Sequence, residues 1–158
     1  MRPMPRPNTL LGALLLMCAM CAGAAADPIA EIRNGLGVDV FDGICIDSLP
    51  DFKDVKRKVK DKRAENRDGF WFLDYDIMVV AVKVSDDSQA CTSVLKDGDE
   101  DIVEELLKEI LATRYRGYEN TVVNGENVLQ FTSKFGPAVA SITPVKRGIA
   151  LTVQSFPN

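Results

Sequence analysis

Three observations predict an α+β fold, a mainly antiparallel sheet of about five strands with two to three helices packed on it. Residues 100–112 place Ile102, Val103, Leu106, Leu107, Ile110 and Leu111 on one broad apolar helical face. Such a face packs on a sheet or core rather than along a thin coiled-coil seam. After Gly117 the chain has strand character throughout, with Asn124-Gly125 set between Val122-Val123 and Val128-Leu129 as a hairpin signal. Tight turns join the strand-like runs, so neighbouring strands should pair antiparallel, with the helices gathered on one face.

Taken in order, residues 27–50 carry two patterns. Leu36, Val38 and Val40 alternate as in a strand, whereas Val38, Phe41, Ile44 or Cys45, and Leu49 recur at helical spacing. Gly35, Gly37 and Gly43 weaken both. A helix over about 38–48, ended by Pro50, is the expectation. A second helix is expected from Asp51, as N-cap, to about Asn66, with Phe52, Val55 and Val59 as a narrow apolar stripe. Phe70 to Leu95 reads as a strand pair. Ile77 to Val82 is apolar on both faces, which predicts a central strand covered on both sides. Asp86 to Gln89 is a turn, and Ala90 to Leu95 returns with Cys91. Asp99 is the expected N-cap of the helix at 100–112, its acidic first turns suit the positive end of the helix dipole, and Gly117 stops it. Strands at 138–143 and 149–153 follow, the second turning Ile149, Leu151 and Val153 inward. No internal repeat is evident.

Residues 1–26 have the layout of a secretory signal peptide. Arg2 and Arg6 precede an apolar core from Leu10 to Ala22, and Ala24-Ala25-Ala26 forms a small-residue cleavage site before Asp27. The core is too short to span a bilayer as a helix. The expectation is one globular domain, residues 27–158, in the periplasm or secreted, with no transmembrane segment after cleavage. Removing 26 of 158 residues leaves 132, with 17 basic and 23 acidic side chains, a net charge near −6. An acidic domain of this kind argues against nucleic acid as its main partner. Two of the four cysteines leave with the signal. The remaining pair, Cys45 and Cys91, is expected to form one disulfide, since export places it in an oxidising compartment.

The chain contains no histidine, which removes the commonest general base and metal ligand and rules out a Ser-His-Asp or Cys-His triad within one chain. The nucleophile elbow, the P-loop and the dinucleotide fingerprint are absent. No catalytic residue, cofactor or metal site is assigned. Asp97, Asp99 and Asp101 start like a calcium loop, but the sixth and twelfth positions are Ile102 and Lys108, so a helix cap is the better reading. Asp74 and Asp76 flank Tyr75 beside an aromatic run; an exposed strand edge is the better reading, with a carboxylate pair for glycoside hydrolysis as the alternative. Residues 51–67 hold 8 of the 17 positive charges left after cleavage. Lys53, Lys56, Arg57, Lys60 and Arg63 on this segment, with Trp71 beyond it, are the candidate interaction surface. Acidic residues within the segment and its narrow stripe limit any contact with anionic surfaces to a weak one.

Cys45, Leu49-Pro50-Asp51-Phe52 and Cys91 together resemble a pattern in small uncharacterised exported single-disulfide proteins of Gram-negative bacteria. That resemblance implies export and a disulfide, and carries no activity over. The resulting expectation is an exported non-enzymatic domain that binds a protein partner, as an inhibitor, immunity protein or accessory factor. The alternatives are a small carboxylate-dependent hydrolase acting on a polysaccharide or peptidoglycan-like substrate, and an envelope-associated structural protein held by the basic helix.

Overall fold

The computed structural model describes residues 27–87 and 89–156. The expected signal peptide, residues 1–26, lies outside the described residues.

The first helix, α1, spans Pro28–Ile44. Its N-cap is Asp27, whose carboxylate accepts a hydrogen bond from the Ile29 N–H at 3.1 Å, with Pro28 in the first turn where its missing N–H costs nothing. The helix therefore begins ten residues before the start expected from the sequence. The three glycines do not break it, because Val38, Phe41 and Ile44 are fully buried along one side and tertiary packing outweighs the glycine cost. At Gly37 a Cβ would overlap the side chain of Leu95, so the absent side chain lets the helix lie close to the sheet. A short 3₁₀ turn, Ile46–Ser48, follows, then a cis Leu49–Pro50 bond.

Helix α2 spans only Val55–Asp61, not 51–66. Phe52 and Arg63 both adopt positive φ, 54° and 59°, which bounds the helix at either end. Asp51 does not cap it; its carboxylate accepts from the Lys53 N–H at 3.2 Å in a local turn.

Eight antiparallel strands form one sheet: β1 Glu65–Arg67, β2 Phe70–Tyr75, β3 Met78–Val84, β4 Ala90–Lys96, β5 Tyr118–Val123, β6 Glu126–Ser133, β7 Gly136–Val145 and β8 Gly148–Ser155. Helix α3, Glu100–Arg114, connects β4 to β5. Asp99 caps it as expected, accepting from the Ile102 N–H at 3.2 Å. The α+β class and the antiparallel pairing stand. Among the described residues the strand number is eight rather than about five: Phe70 to Leu95, expected as a strand pair, is three strands split by a turn at Asp76-Ile77, and Glu65–Arg67 adds an edge strand where the end of the second helix was expected.

The spatial order is β1-β2-β3-β4-β8-β7-β6-β5. Two four-stranded meanders, each preceded by helix, thus join where β4 pairs with β8 along Ala90↔Gln154 to Lys96↔Gly148. The architecture repeats even though the sequence shows no repeat. Helix α1 lies over β3 and β4, and α3 over β5 and β7, on the same side of the sheet. The core lies between them, with Val80, Val82, Leu95, Leu151 and Val153 from the strands and Val103, Leu107 and Leu111 from α3. The expected double cover over Ile77 to Val82 is not found: Ile77 is exposed in a turn, and Val79 and Ala81 face the side opposite the helices.

The disulfide joins Cys45 at the end of α1 to Cys91 on β4, with the Cα atoms 5.5 Å apart. It fixes the first helix to the sheet, as expected. Among the described residues no helix is long and apolar enough to cross a membrane.

Candidate functional site

A concavity of about 950 Å³ lies at the end of the molecule where α3 stops. Three segments make it: Ile46 and Asp47 after α1, Arg114 to Glu119 leading into β5, and Gln130 to Phe135 on β6 and its turn.

Local sequence sets the first wall. The Tyr115 and Gly117 N–H groups both donate to the Leu111 carbonyl, at 3.3 and 3.0 Å, which ends the helix. Arg116 and Gly117 then take positive φ, 64° and 114°, and turn the chain into β5. The second wall is a two-residue turn. The Ser133 hydroxyl donates to the Gly136 carbonyl at 3.0 Å and accepts from the Phe135 N–H at 3.1 Å. This holds up Phe135, which is 50% exposed although large and apolar. The Lys134 ammonium sits 4.8 Å from the centre of the Phe135 ring.

Beneath the groove is a buried polar cluster. Asp42 of α1 is 1% exposed and forms an ion pair with Arg114. It also accepts a hydrogen bond from the Tyr115 hydroxyl at 2.8 Å. Tyr115 packs edge-on against Phe131, ring centres 5.3 Å apart. Burial, and then the nearby charge of Asp47, push the Tyr115 hydroxyl up to about 12. A second polar contact ties the start of α3 to the middle of α1, where the Asp99 N–H donates to Asn34 Oδ1 at 3.0 Å. Helices α1 and α3 therefore run in the same direction, with both ends of α3 tied to α1.

Cations border the groove. Arg114, Arg116 and Lys134 line it, and the Lys58 ammonium on α2 donates to the Gly43 carbonyl at 2.9 Å close by. Burial, the largest influence, lowers the Lys58 pKa below its ordinary value, and the charge of Asp47 partly offsets this. Asp47 and Glu119 are the acids in the lining.

The residues singled out from sequence lie elsewhere. Lys53, Lys56, Arg57, Lys60 and Arg63 are exposed on and around α2. Arg57 pairs with Asp54 and Asp61, and Lys53 with Asp51. Trp71 is half-buried against the core on the helix side of β2, with Phe70 and Phe72 on the opposite side. Those two rings lie 6.4 Å apart, with Lys83 over Phe70 and Arg67 over Phe72. Asp74 and Asp76 are exposed and line neither groove. Asp99 serves as a helix cap. Among the described residues no group of three or more metal-ligating side chains gathers.

A smaller groove of about 430 Å³ lies under the other end of β5, lined by Glu100, Glu104 and Glu126 among others. From the sequence, Gly117 reads only as a helix stop, and Asp42, Tyr115 and Phe135 carry no assigned role. One signal was available: Asp42 sits among Val38, Phe41 and Cys45 on an apolar helical face, where a carboxylate needs a buried partner. No protein-family model, curated protein or solved structure matches the chain.

Proposed function

We propose that this is an exported, non-enzymatic domain that works by binding a protein partner, and that the groove between the end of α3 and the β6–β7 turn is where the partner docks. The observation that carries this reading is Phe135, half exposed on a turn braced by Ser133, beside Lys134, Arg116 and a half-buried Tyr115. An aromatic held rigid at the edge of a concavity, with arginine and tyrosine next to it, is the composition of an interface hot spot. The groove chemistry supports a binding role more than hydrolysis. Its two lining acids are Asp47 and Glu119, and the buried carboxylate Asp42 is fully engaged by Arg114 and Tyr115.

Crosslinking pull-down from envelope extracts tests this. Native protein should capture a defined partner, and Phe135→Ala with Lys134→Glu should release most of it. Capture unchanged by both substitutions would move the site elsewhere, and no specific capture would end the reading.

A weak contact with anionic surfaces is a second reading. It is favoured by Lys56 and Lys60, which are exposed on α2 with no acidic partner within 4 Å among the described residues. Flotation with anionic vesicles at low salt, lost at high salt, is the expected result. Absence of flotation at low salt would remove it.

A further inference from the structure

We propose that the outer edge of β5 is a self-association surface, and that two copies of this chain pair through it as antiparallel strands about a twofold axis.

The two edges of the sheet differ. β1 has three residues, all exposed, with Glu65 and Arg67 joined in an ion pair. A short charged edge of this kind discourages pairing. β5 has six residues and one charge, Glu119, and its Val122 is 63% exposed. Among the described residues it is the last strand in the sheet and pairs only with β6.

Its free backbone groups can be identified. Asn124 and Gly125 have φ of 54° and 86°, a two-residue type I′ turn closed by the pair Val123↔Glu126. Such a closing pair is hydrogen-bonded, and alternation along the ladder gives the same to Thr121↔Val128 and Glu119↔Gln130. Tyr118, Asn120 and Val122 therefore turn their N–H and C=O groups outward.

A second copy fits these groups in one register. With Asn120 opposite Asn120 of the second copy, Tyr118 stands opposite Val122 in both directions, and all three outward residues of each strand are paired. Asn120 then meets its own amide, and the aromatic–β-branched pair is a favourable cross-strand combination. Glu119 faces Thr121, so no like charges oppose. A register centred on Glu119 would set carboxylate against carboxylate, and one centred on Thr121 would run Tyr118 into the turn. The ends are also complementary. Arg116, in the turn that enters β5, lies at the strand end that would meet the Asn124-Gly125 turn and Glu126 of the second copy. Cationic Arg116 and Lys134 border the groove at one end of β5, and acidic Glu100, Glu104 and Glu126 line the groove at the other. The antiparallel twofold brings these unlike ends together. Self-pairing along β5 is independent of a partner in the groove, which needs only one copy.

Sedimentation equilibrium of the native exported protein, from low micromolar to near-millimolar concentration, tests this. The average mass should rise toward twice that of the monomer. Asn120→Pro removes an outward N–H without touching the β6 ladder and should hold the protein monomeric. Val122→Lys should do the same with no backbone change, and it decides the matter if the proline variant fails to fold. Arg116→Glu and Glu126→Arg should each weaken association by about tenfold, and the double reversal should restore it. A monomer at every concentration overturns the proposal, as does a dimer that persists in Val122→Lys.

Discussion

Asp42 shows how much one side chain can demand of a fold. A carboxylate 1% exposed is tolerated because Arg114 and the Tyr115 hydroxyl both engage it. Removing a partner leaves a buried charge unmet. Arg114→Met should therefore destabilise the protein by about 3–5 kcal/mol, measured by urea denaturation, and Asp42→Asn combined with Arg114→Met should recover part of that loss. Tyr115 gives a pH test. Its hydroxyl is pushed up to about 12, by burial first and by Asp47 second, from an ordinary value near 10. The folded state thus holds this proton more tightly than the unfolded chain does. The associated stability is fully present below pH 10 and declines as pH rises toward 12. The denaturation midpoint should fall more steeply over that window in the native protein than in Tyr115→Phe. Equal slopes would mean the hydroxyl is not held as described. Tyr75 shifts in the same direction through burial, so the comparison rests on the Tyr115→Phe difference.

The helices show where local rules hold and where packing overrides them. Both ends of α3 follow its sequence: Asp99 caps the start and the chain reverses at Arg116-Gly117. Helix α1 does not follow its propensities, and its glycines separate two effects. Gly37 faces Leu95, and a Cβ there would overlap that side chain, whereas nothing lies within 4 Å of a Cβ at Gly35. Gly35→Ala should stabilise by up to about 1 kcal/mol, the propensity difference. Gly37→Ala should destabilise by about 1–3 kcal/mol through overpacking, despite the same gain in propensity. Thermal melts of the two variants should therefore move in opposite directions. Helix α2 is short for a local reason that was hard to see in advance. Phe52 and Arg63 both stand at positive φ, a conformation that neither residue type announces.

At the scale of the molecule, two helix-plus-meander halves meet at β4 and β8, and the disulfide ties the first helix to that seam. Closing a loop across a sequence separation of 46 restricts the unfolded chain by about 4 kcal/mol in the chain-entropy view. Replacing both cysteines by alanine should cost about 2–5 kcal/mol, read from denaturation midpoints with and without reductant. A variant as stable as the oxidised protein would assign the holding of α1 to packing alone.

What the sequence determined by itself rests on near neighbours with a distinctive signature, which the positive φ of Phe52 and Arg63 lacks. The α+β class, the Asn124-Gly125 turn, the Asp99 cap, the stop at Gly117 and the inward set Ile149, Leu151 and Val153 all follow from residues a few positions apart. The Cys45–Cys91 pairing was legible for a different reason, since only two cysteines follow the expected cleavage point. Tertiary structure alone decided the rest. It placed β8 beside β4, extended α1 back to Pro28, half-buried Trp71, and gathered Tyr115 and Phe135 at one groove, with Asp42 buried behind Tyr115. Periodicity reports which face of an element is apolar, but not which other element covers it. That choice is made by long-range burial and by the pairing of buried polar groups, Asn34 with Asp99 and Asp42 with Arg114, whose partners lie 65 and 72 residues away.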